Sequence, residues 1–264
     1  MKLKLFYALI LLLASNTLWA QANRDNRRIV KVLSFNILHG RTMKGDFDLD
    51  VLANLIKKAN PDFVAMQEVD FKAGRSKEYD LATELGWRTK MAPLFAKAMN
   101  FDGGEYGEAV LSKYSFLSTR NVALPYVPGE EPRAALEIVT VLPSNDTIAF
   151  VGTHLAHEGE EGRVLQAQKI NEEFSQNEYP TILAGDLNAI PGSKPINILE
   201  KIWSSTYDKE NPEYTFPSDT PRVKIDYVMF YPNNRWKVLE TEVIQDTQAS
   251  DHCAYLVTLE LVED

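Results

Sequence analysis

Short apolar runs separated by polar turn residues recur along the whole chain, and their length is that of β-strands. Runs rich in β-branched and other apolar residues predict strands over residues 29–36, 62–70, 223–230, 236–244 and 254–261. Residues 181–192 predict a buried strand that enters a turn, which Pro191-Gly192 ends. After position 106 the runs become shorter and closer together. Their spacing predicts an antiparallel meander over residues 107–112, 116–124, 134–142 and 147–154.

Helices are predicted where apolar residues recur every three or four positions. Asp48 is placed to cap a helix that carries Leu49, Leu52 and Ile56 on one face. A second helix is predicted over residues 79–85 with Gly86 as its stop, a third over 160–174, and a fourth near 195–202. The order strand, helix, strand at the start of the chain predicts a crossover between parallel strands.

Polar residues of metal-binding or acid/base type stand where several of these apolar strands end. They are Asn36, Glu68, His154, Asp186, Asn188 and the pair Asp251-His252. Taken alone, each has a plain structural explanation. Asp186 and Asn188, for example, either point together into one pocket or only form an Asx turn.

Two carboxylates lie within apolar runs and are expected to be buried. Each then needs a partner, because burying an unpaired charge is costly. Glu68 is expected to bind an ion or a salt-bridge partner, and Asp226 to pair with His252. Oxygen-rich ligands with few imidazoles and no thiolate cluster suit Mg²⁺, Mn²⁺ or Ca²⁺ better than zinc.

The first residues have the features of a secretory signal peptide, with Lys2 and Lys4 before the apolar stretch 5–14. We predict a signal peptide over residues 1–22, cleaved after Ala20 or Ala22, and a secreted or periplasmic protein. An uncleaved anchor is the alternative. Residues 23–264 contain no repeat or linker and are expected to form one domain. The single cysteine, Cys253, excludes an internal disulfide.

The charge of the chain opposes long-range attraction to nucleic acid or to an anionic membrane. The formal net charge is −9, and loss of Lys2 and Lys4 with the signal peptide makes it −11. No run of lysine and arginine marks a groove for a nucleic-acid backbone.

Seven short motifs occur in the order typical of one protein superfamily. They are Ser34-Phe35-Asn36, Gln67-Glu68-Val69, residues 106–113, Thr153-His154-Leu155, Gly185-Asp186-Leu187-Asn188, Ile225-Asp226-Tyr227 and Ser250-Asp251-His252. Together they resemble the endonuclease/exonuclease/phosphatase superfamily of DNase I-like proteins. The resemblance implies an α+β fold, a four-layer sandwich of two packed mixed β-sheets flanked by helices. Glu108 departs from the pattern, because many relatives have asparagine there.

The resemblance also implies roles for the strand-end residues in a metal-dependent phosphoesterase. Asn36, Glu68 and Asp251 would hold the divalent ion, with Mg²⁺ expected first. Asp186 would activate the attacking water and Asn188 would position it. His252, oriented by Asp226, would contact the phosphate, and His154 would stabilise the phosphoryl oxygens or assist the leaving group.

Substrate choice in such proteins depends on loops, where the sequence is less informative. We expect a small-molecule or lipid-head-group phosphoester, a monomer and no stable protein partner. His39, Arg133 and His157 are candidate substrate contacts. A structural ion pair is an equal alternative for Arg133, and a surface or hydrogen-bonding role is an equal alternative for the two histidines. The alternatives for function are a secreted DNase I-like endonuclease and a non-catalytic module that binds phosphate or lipid.

Overall fold

Two six-stranded β-sheets lie face to face and carry helices on their outer surfaces, in a computed structural model that describes residues 28–263. One apolar core fills the space between the sheets. Each sheet also packs against its own helices through a further apolar core, which gives three cores in the described residues. The predicted four-layer sandwich of mixed sheets is confirmed.

The first sheet has the strand order β11-β12-β1-β2-β4-β3. Its strands are β1 (Ile29–Asn36), β2 (Phe63–Phe71), β3 (Ala92–Phe101), β4 (Gly104–Ser112), β11 (Trp236–Ile244) and β12 (Ala254–Leu261). Its outer face is covered by helices α1 (Leu49–Ala59) and α2 (Leu81–Thr89). The Asp48 side chain accepts a hydrogen bond from the Asp50 amide and caps α1 as predicted.

The second sheet has the order β5-β6-β7-β8-β10-β9. Its strands are β5 (Phe116–Leu124), β6 (Arg133–Val141), β7 (Thr147–His154), β8 (Thr181–Asp186), β9 (Ser204–Ser205) and β10 (Asp226–Tyr231). Helices α3 (Glu160–Phe174) and α4 (Lys194–Leu199) cover its outer face.

The centre of each sheet holds one parallel pair of strands, and this pairing positions the polar strand ends. Strands β1 and β2 run parallel with α1 between them, and Asn36 lies opposite Gln67. Strands β7 and β8 run parallel with α3 between them, and His154 lies opposite Asp186. Because parallel strands end at the same edge, these residues gather at one end of the sandwich.

Two sequence predictions about elements were wrong, and one strand was not predicted. The second helix begins at Leu81, after the cap Asp80, and continues past Gly86 to Thr89. A Cβ at Gly86 would lie 2.9 Å from the Met91 carbonyl oxygen, so close packing requires glycine there. The predicted meander is also divided, because residues 107–112 belong to β4 of the first sheet, and β3 was not predicted.

The predicted signal peptide lies outside the described residues and stays a prediction. Among residues 28–263, no helix is long and apolar enough to cross a membrane.

Lys224 is a buried cation in the chain that leads into β10. Its side chain is 1% exposed, and its ammonium lies 3.7 Å from the centre of the Tyr255 ring and 5.2 Å from that of Tyr227. Its Nζ has no hydrogen-bond partner among residues 28–263. Burial lowers the pKa of Lys224 to about 8, against the opposing effect of Asp226. The contacts with the aromatic rings favour the charged form and offset part of this lowering.

Replacing Lys224 with methionine should therefore change how stability depends on pH. Between about pH 8 and 10.5 the folded protein binds fewer protons than the unfolded chain. The free-energy cost of burying the charged ammonium is therefore fully present below pH 8 and is lost as the pH rises through this window. We expect Lys224→Met to be more stable relative to the wild type at pH 7 than at pH 10, by about 1–3 kcal/mol. Thermal melts at the two pH values measure it.

The matched control is Lys237→Met, because the Lys237 side chain is 66% exposed. Its stability difference from the wild type should change little between pH 7 and 10. A pH-independent difference for Lys224→Met would contradict the lowered pKa.

Candidate active site

A cavity of about 260 Å³ opens at the edge where the central strands end. Its wall includes most of the strand-end residues predicted from the sequence, namely Glu68, His154, Asp186, Asn188, Asp251 and His252. Residues separated by almost the whole length of the chain thus meet in one place.

Asn36 connects the two sheets at the base of this cavity. Its Nδ2 donates to Glu68 Oε1 at 3.2 Å and lies 3.3 Å from Asp186 Oδ2, and its Oδ1 accepts from the Leu38 amide. Glu68 has a φ of 57° and lies in a bulge of β2. A bulge re-aims a side chain out of the regular alternation of a strand, and here the Glu68 side chain lines the cavity.

Both oxygens of the Glu68 carboxylate have a side-chain partner, and His39 lies within salt-bridge distance of it. His39 Nδ1 lies 3.2 Å from Oε2, and Asn36 contacts Oε1. Burial opposes ionisation of Glu68, but the hydrogen bonds from His39 and Asn36 prevail and lower its pKa. A charged carboxylate is therefore available at the cavity wall. His39 contacts this carboxylate and lines a second cavity beside the first.

The turn after β8 satisfies both alternatives considered for Asp186 and Asn188. The Asn188 amide donates to Asp186 Oδ1 at 2.9 Å, which is an Asx turn, and Asn188 has a φ of 46°. The other oxygen, Oδ2, faces the cavity and lies 3.5 Å from His154 Nε2 and 3.6 Å from His252 Nε2. The turn thus fixes one oxygen and presents the other.

Asp226 and His252 form the predicted pair. His252 Nδ1 lies 3.0 Å from Asp226 Oδ2, and both residues are buried. Burial alone would lower the pKa of His252, but Asp226 and Asp186 outweigh it and raise the pKa to about 10. The imidazole is charged at neutral pH, and the ring of Phe216 lies 4.8 Å from it. The hydroxyl of Thr215 accepts from the Asp226 amide and fixes the start of β10.

His154 is neutral, in contrast to His252. Burial and the neighbouring Arg133 guanidinium hold the pKa of His154 well below its usual value of 6.5. Arg133 Nη1 lies 3.3 Å from His154 Nδ1, and Asn188 Nδ2 lies 3.0 Å from His154 Nε2. The two histidines therefore offer different chemistry, one as a cation and one as a neutral imidazole.

Arg133 makes the ion pair that the sequence offered as one alternative, and its contact with substrate stays a prediction. It is 2% exposed, makes an ion pair with Glu131 at 3.0 Å, and also lines the cavity. His157 lines the cavity rim with an exposed side chain, and its Nδ1 lies 3.4 Å from Arg133 Nη2.

Glu108 lies under the site rather than in its wall. It is fully buried on β4, and both carboxylate oxygens lack a hydrogen-bond partner among residues 28–263. Burial raises the pKa of Glu108 well above its usual range, which favours the neutral carboxyl.

The charges in the cavity fit a divalent cation. Glu68, Asp186 and Asp251 bring three carboxyl groups to one wall. Burial and the negative charge of Glu68 raise the pKa of Asp251, which marks an excess of acidic groups there. Carboxylate and amide oxygens are the ligands that Mg²⁺, Mn²⁺ and Ca²⁺ prefer.

Among residues 28–263, two groups of side chains bring possible ligand atoms within 4.8 Å of one another: Asp186 with Asp226 and His252, and Glu131 with His157 and Glu158. In the first group the imidazole already donates to Asp226. In the second the guanidinium of Arg133 contacts Glu131 and opposes a cation.

The sequence did not reveal several residues of the cavity wall. Arg75, Phe101 and Phe216 lie in or beside loops without hydrophobic periodicity, and only their contacts show their place. The signal for Arg75 was its position five residues after Asp70, whose buried carboxylate needs a partner.

Comparison with known proteins places these observations in a family. The model of the endonuclease/exonuclease/phosphatase family matches residues 33–252. Among curated proteins, none matches the sequence significantly.

Solved structures share the fold at low sequence identity. An endonuclease/exonuclease/phosphatase from Beutenbergia cavernae is 22% identical with a TM-score of 0.72, over 89% of this chain and 72% of that chain. A mannosyl-6-phosphatase from Bacteroides thetaiotaomicron is 17% identical with a TM-score of 0.70, over 89% and 100%. The human nocturnin catalytic domain with bound sulfate is 19% identical with a TM-score of 0.68, over 89% and 94%. The family match covers most of the chain, and the protein belongs to the endonuclease/exonuclease/phosphatase family.

Proposed function

We propose that this protein is a divalent-metal-dependent hydrolase of phosphoesters. The observation that carries the proposal is the arrangement around Asp186. A charged His252, held by Asp226, faces Oδ2 of Asp186 in a cavity that also contains Glu68. A cationic donor, a buried carboxyl and a metal-type carboxylate are the groups that phosphoryl transfer to water needs.

Asp186 is the proposed general base. Burial raises its pKa, against the opposing effect of the His252 imidazolium. A base with a raised pKa takes a proton from water more readily near neutral pH. Its Oδ1 is held by the Asn188 amide, so Oδ2 is the oxygen that receives the proton. Asn188 positions the water or the phosphate through its side-chain amide.

His252 and His154 act on the phosphate oxygens. The imidazolium of His252 donates from Nε2 to charge that develops in the transition state, while Asp226 holds Nδ1. Neutral His154 stabilises the phosphoryl oxygens from the other side of Asp186 Oδ2. Both donors are fixed before substrate binds, so little reorganisation is needed.

Glu68, Asn36 and Asp251 are the proposed ligands of the metal ion. A bound divalent ion would polarise a phosphoryl oxygen and offset the negative charge of the phosphate. Mg²⁺ is the first expectation, and Mn²⁺ and Ca²⁺ have the same preference for oxygen ligands.

A small-molecule or lipid-head-group phosphoester is the proposed substrate. The cavity of about 260 Å³ suits a compact group, and the net charge of −9 opposes binding to a polyanion. A relative with the same fold is a mannosyl-6-phosphatase, which also supports a small phosphoester. We further propose a secreted or periplasmic monomer, on the signal-peptide features of residues 1–22.

A substrate screen tests the function. The purified protein is incubated with Mg²⁺ and p-nitrophenyl phosphate, bis-p-nitrophenyl phosphate, phosphoinositides, sphingomyelin or supercoiled plasmid. We expect hydrolysis of a small or lipid phosphoester that stops when EDTA removes the metal. Preferential plasmid nicking would instead support an endonuclease, and phosphate binding without any turnover would support a non-catalytic module.

A further inference from the structure

Arg75 is held rigidly at the cavity wall with one nitrogen free. Its Nε and Nη2 donate to the two oxygens of Asp70 at 2.8 and 2.9 Å, and Asp70 is fully buried. Its guanidinium stacks on Phe101 at 4.3 Å. Nη1 has no hydrogen-bond partner among residues 28–263, and the side chain is 31% exposed. One edge of the guanidinium is thus occupied by Asp70, and Nη1 is available to a ligand.

Arg133 belongs to the same part of the wall. Both guanidinium groups lie within 6 Å of the Tyr106 ring, at 5.3 Å for Arg75 and 5.8 Å for Arg133. Arg133 Nη1 donates to the Tyr106 hydroxyl at 3.1 Å, while its Nε is buried and has no partner among the described residues. An unpartnered, buried guanidinium nitrogen at a cavity indicates capacity for a further acceptor.

A loop carboxylate already contacts one arginine of this pair, Arg133. Glu131 lies at the end of the proline-rich loop 125–132, its side chain is 39% exposed, and it reaches Arg133 Nη2 at 3.0 Å. Glu131 also lines the cavity, whereas Asp70 and Glu108 are fully buried and do not line it. An exposed carboxylate on a loop is readily displaced, because exposed ion pairs contribute little stability.

We propose that Arg75 and Arg133 form a subsite for a second anionic group of the substrate, which takes the place of the Glu131 carboxylate. The preferred substrates are then phosphoesters that carry an additional phosphate or carboxylate beside the scissile phosphate. This inference rests on the proposed function for the first phosphate and adds a substrate class to it. Guanidinium nitrogens suit both anions, since phosphate and carboxylate oxygens both accept charge-assisted hydrogen bonds.

Direct binding tests the subsite without any need for turnover. Dissociation constants of fructose 6-phosphate and fructose 1,6-bisphosphate are measured by calorimetry with Ca²⁺ present. We expect the wild type to bind the bisphosphate at least about tenfold more tightly, the value of one charge-assisted hydrogen-bonded contact. Arg75→Lys should remove most of this preference, because lysine can still pair with Asp70 but has no further nitrogen for the ligand. Glu131→Gln should increase the preference severalfold, because the competing carboxylate is gone.

The control is Arg88→Lys, because Arg88 pairs with Asp50 outside the cavity. It should keep the wild-type preference. The double variant Asp70→Asn/Arg75→Gln keeps a hydrogen bond at this position and should also lose the preference. Equal binding of the two sugars by the wild type, no binding of either, or an unchanged preference in folded Arg75→Lys would overturn the subsite. A different result would contradict the proposed function alone: the expected binding preference together with no hydrolysis of any phosphoester.

Discussion

Replacing His252 with glutamine is expected to lower kcat/KM for a phosphoester by about 10²–10³-fold, the effect of losing one preorganised donor to the transition state. The charged imidazole faces Asp186 Oδ2, and no other cationic side chain contacts that oxygen among the described residues. Glutamine can still donate to Asp226, so the buried carboxylate keeps a partner. The measurement is steady-state hydrolysis of the best substrate from the screen, at saturating Mg²⁺.

His252→Ala should lose at least as much activity and also some stability. Removing the imidazole leaves the Asp226 carboxylate buried without its main partner, which costs about 3–5 kcal/mol in known cases. Thermal melts therefore accompany both variants. Wild-type turnover by folded His252→Gln would show that His252 has no part in the reaction.

The strand ends could be predicted because the signals that define them are local. The bounds of β1, β11, β12 and α3 agree with the sequence prediction, since each is an uninterrupted pattern ended by turn residues. The pair of Asp226 with His252 was also predictable. A charge inside an apolar run requires a partner, and few candidates were available.

The features that escaped prediction depend on contacts between distant residues. Strand β4 pairs with β2 across the first sheet, and no property of residues 104–112 alone distinguishes this from a meander with β5. Gly86 continues its helix because Met91 and Pro93 pack against it. Arg75 gains its place from Asp70 and Phe101, and the loop sequence around it carries no such information.

One physical arrangement explains why scattered residues form a site. The two parallel pairs, β1 with β2 and β7 with β8, end at the same edge of the sandwich. The bulge at Glu68 and the Asx turn at Asp186 then turn two carboxylates into the same cavity. The separation of the two histidines into a charged and a neutral one follows from their nearest neighbours, Asp226 and Arg133.

Replacing Glu68 with glutamine is expected to weaken divalent-metal binding by at least about 10–100-fold and to abolish activity at limiting Mg²⁺. Glutamine keeps the size of the side chain and can still contact Asn36 and His39, so the fold should persist. Metal binding is measured without reference to turnover, by the rise in melting temperature that Mg²⁺ or Mn²⁺ produces. A ligand that binds only the folded state stabilises it in proportion to the logarithm of its concentration over Kd. The wild type should show this rise, and Glu68→Gln should show it only at much higher metal concentration, where part of the activity should return.

Glu84→Gln is the matched control, because Glu84 lies on α2 and pairs with Arg88 away from the cavity. An equal metal-dependent rise in the wild type and Glu68→Gln would remove Glu68 from the proposed metal site.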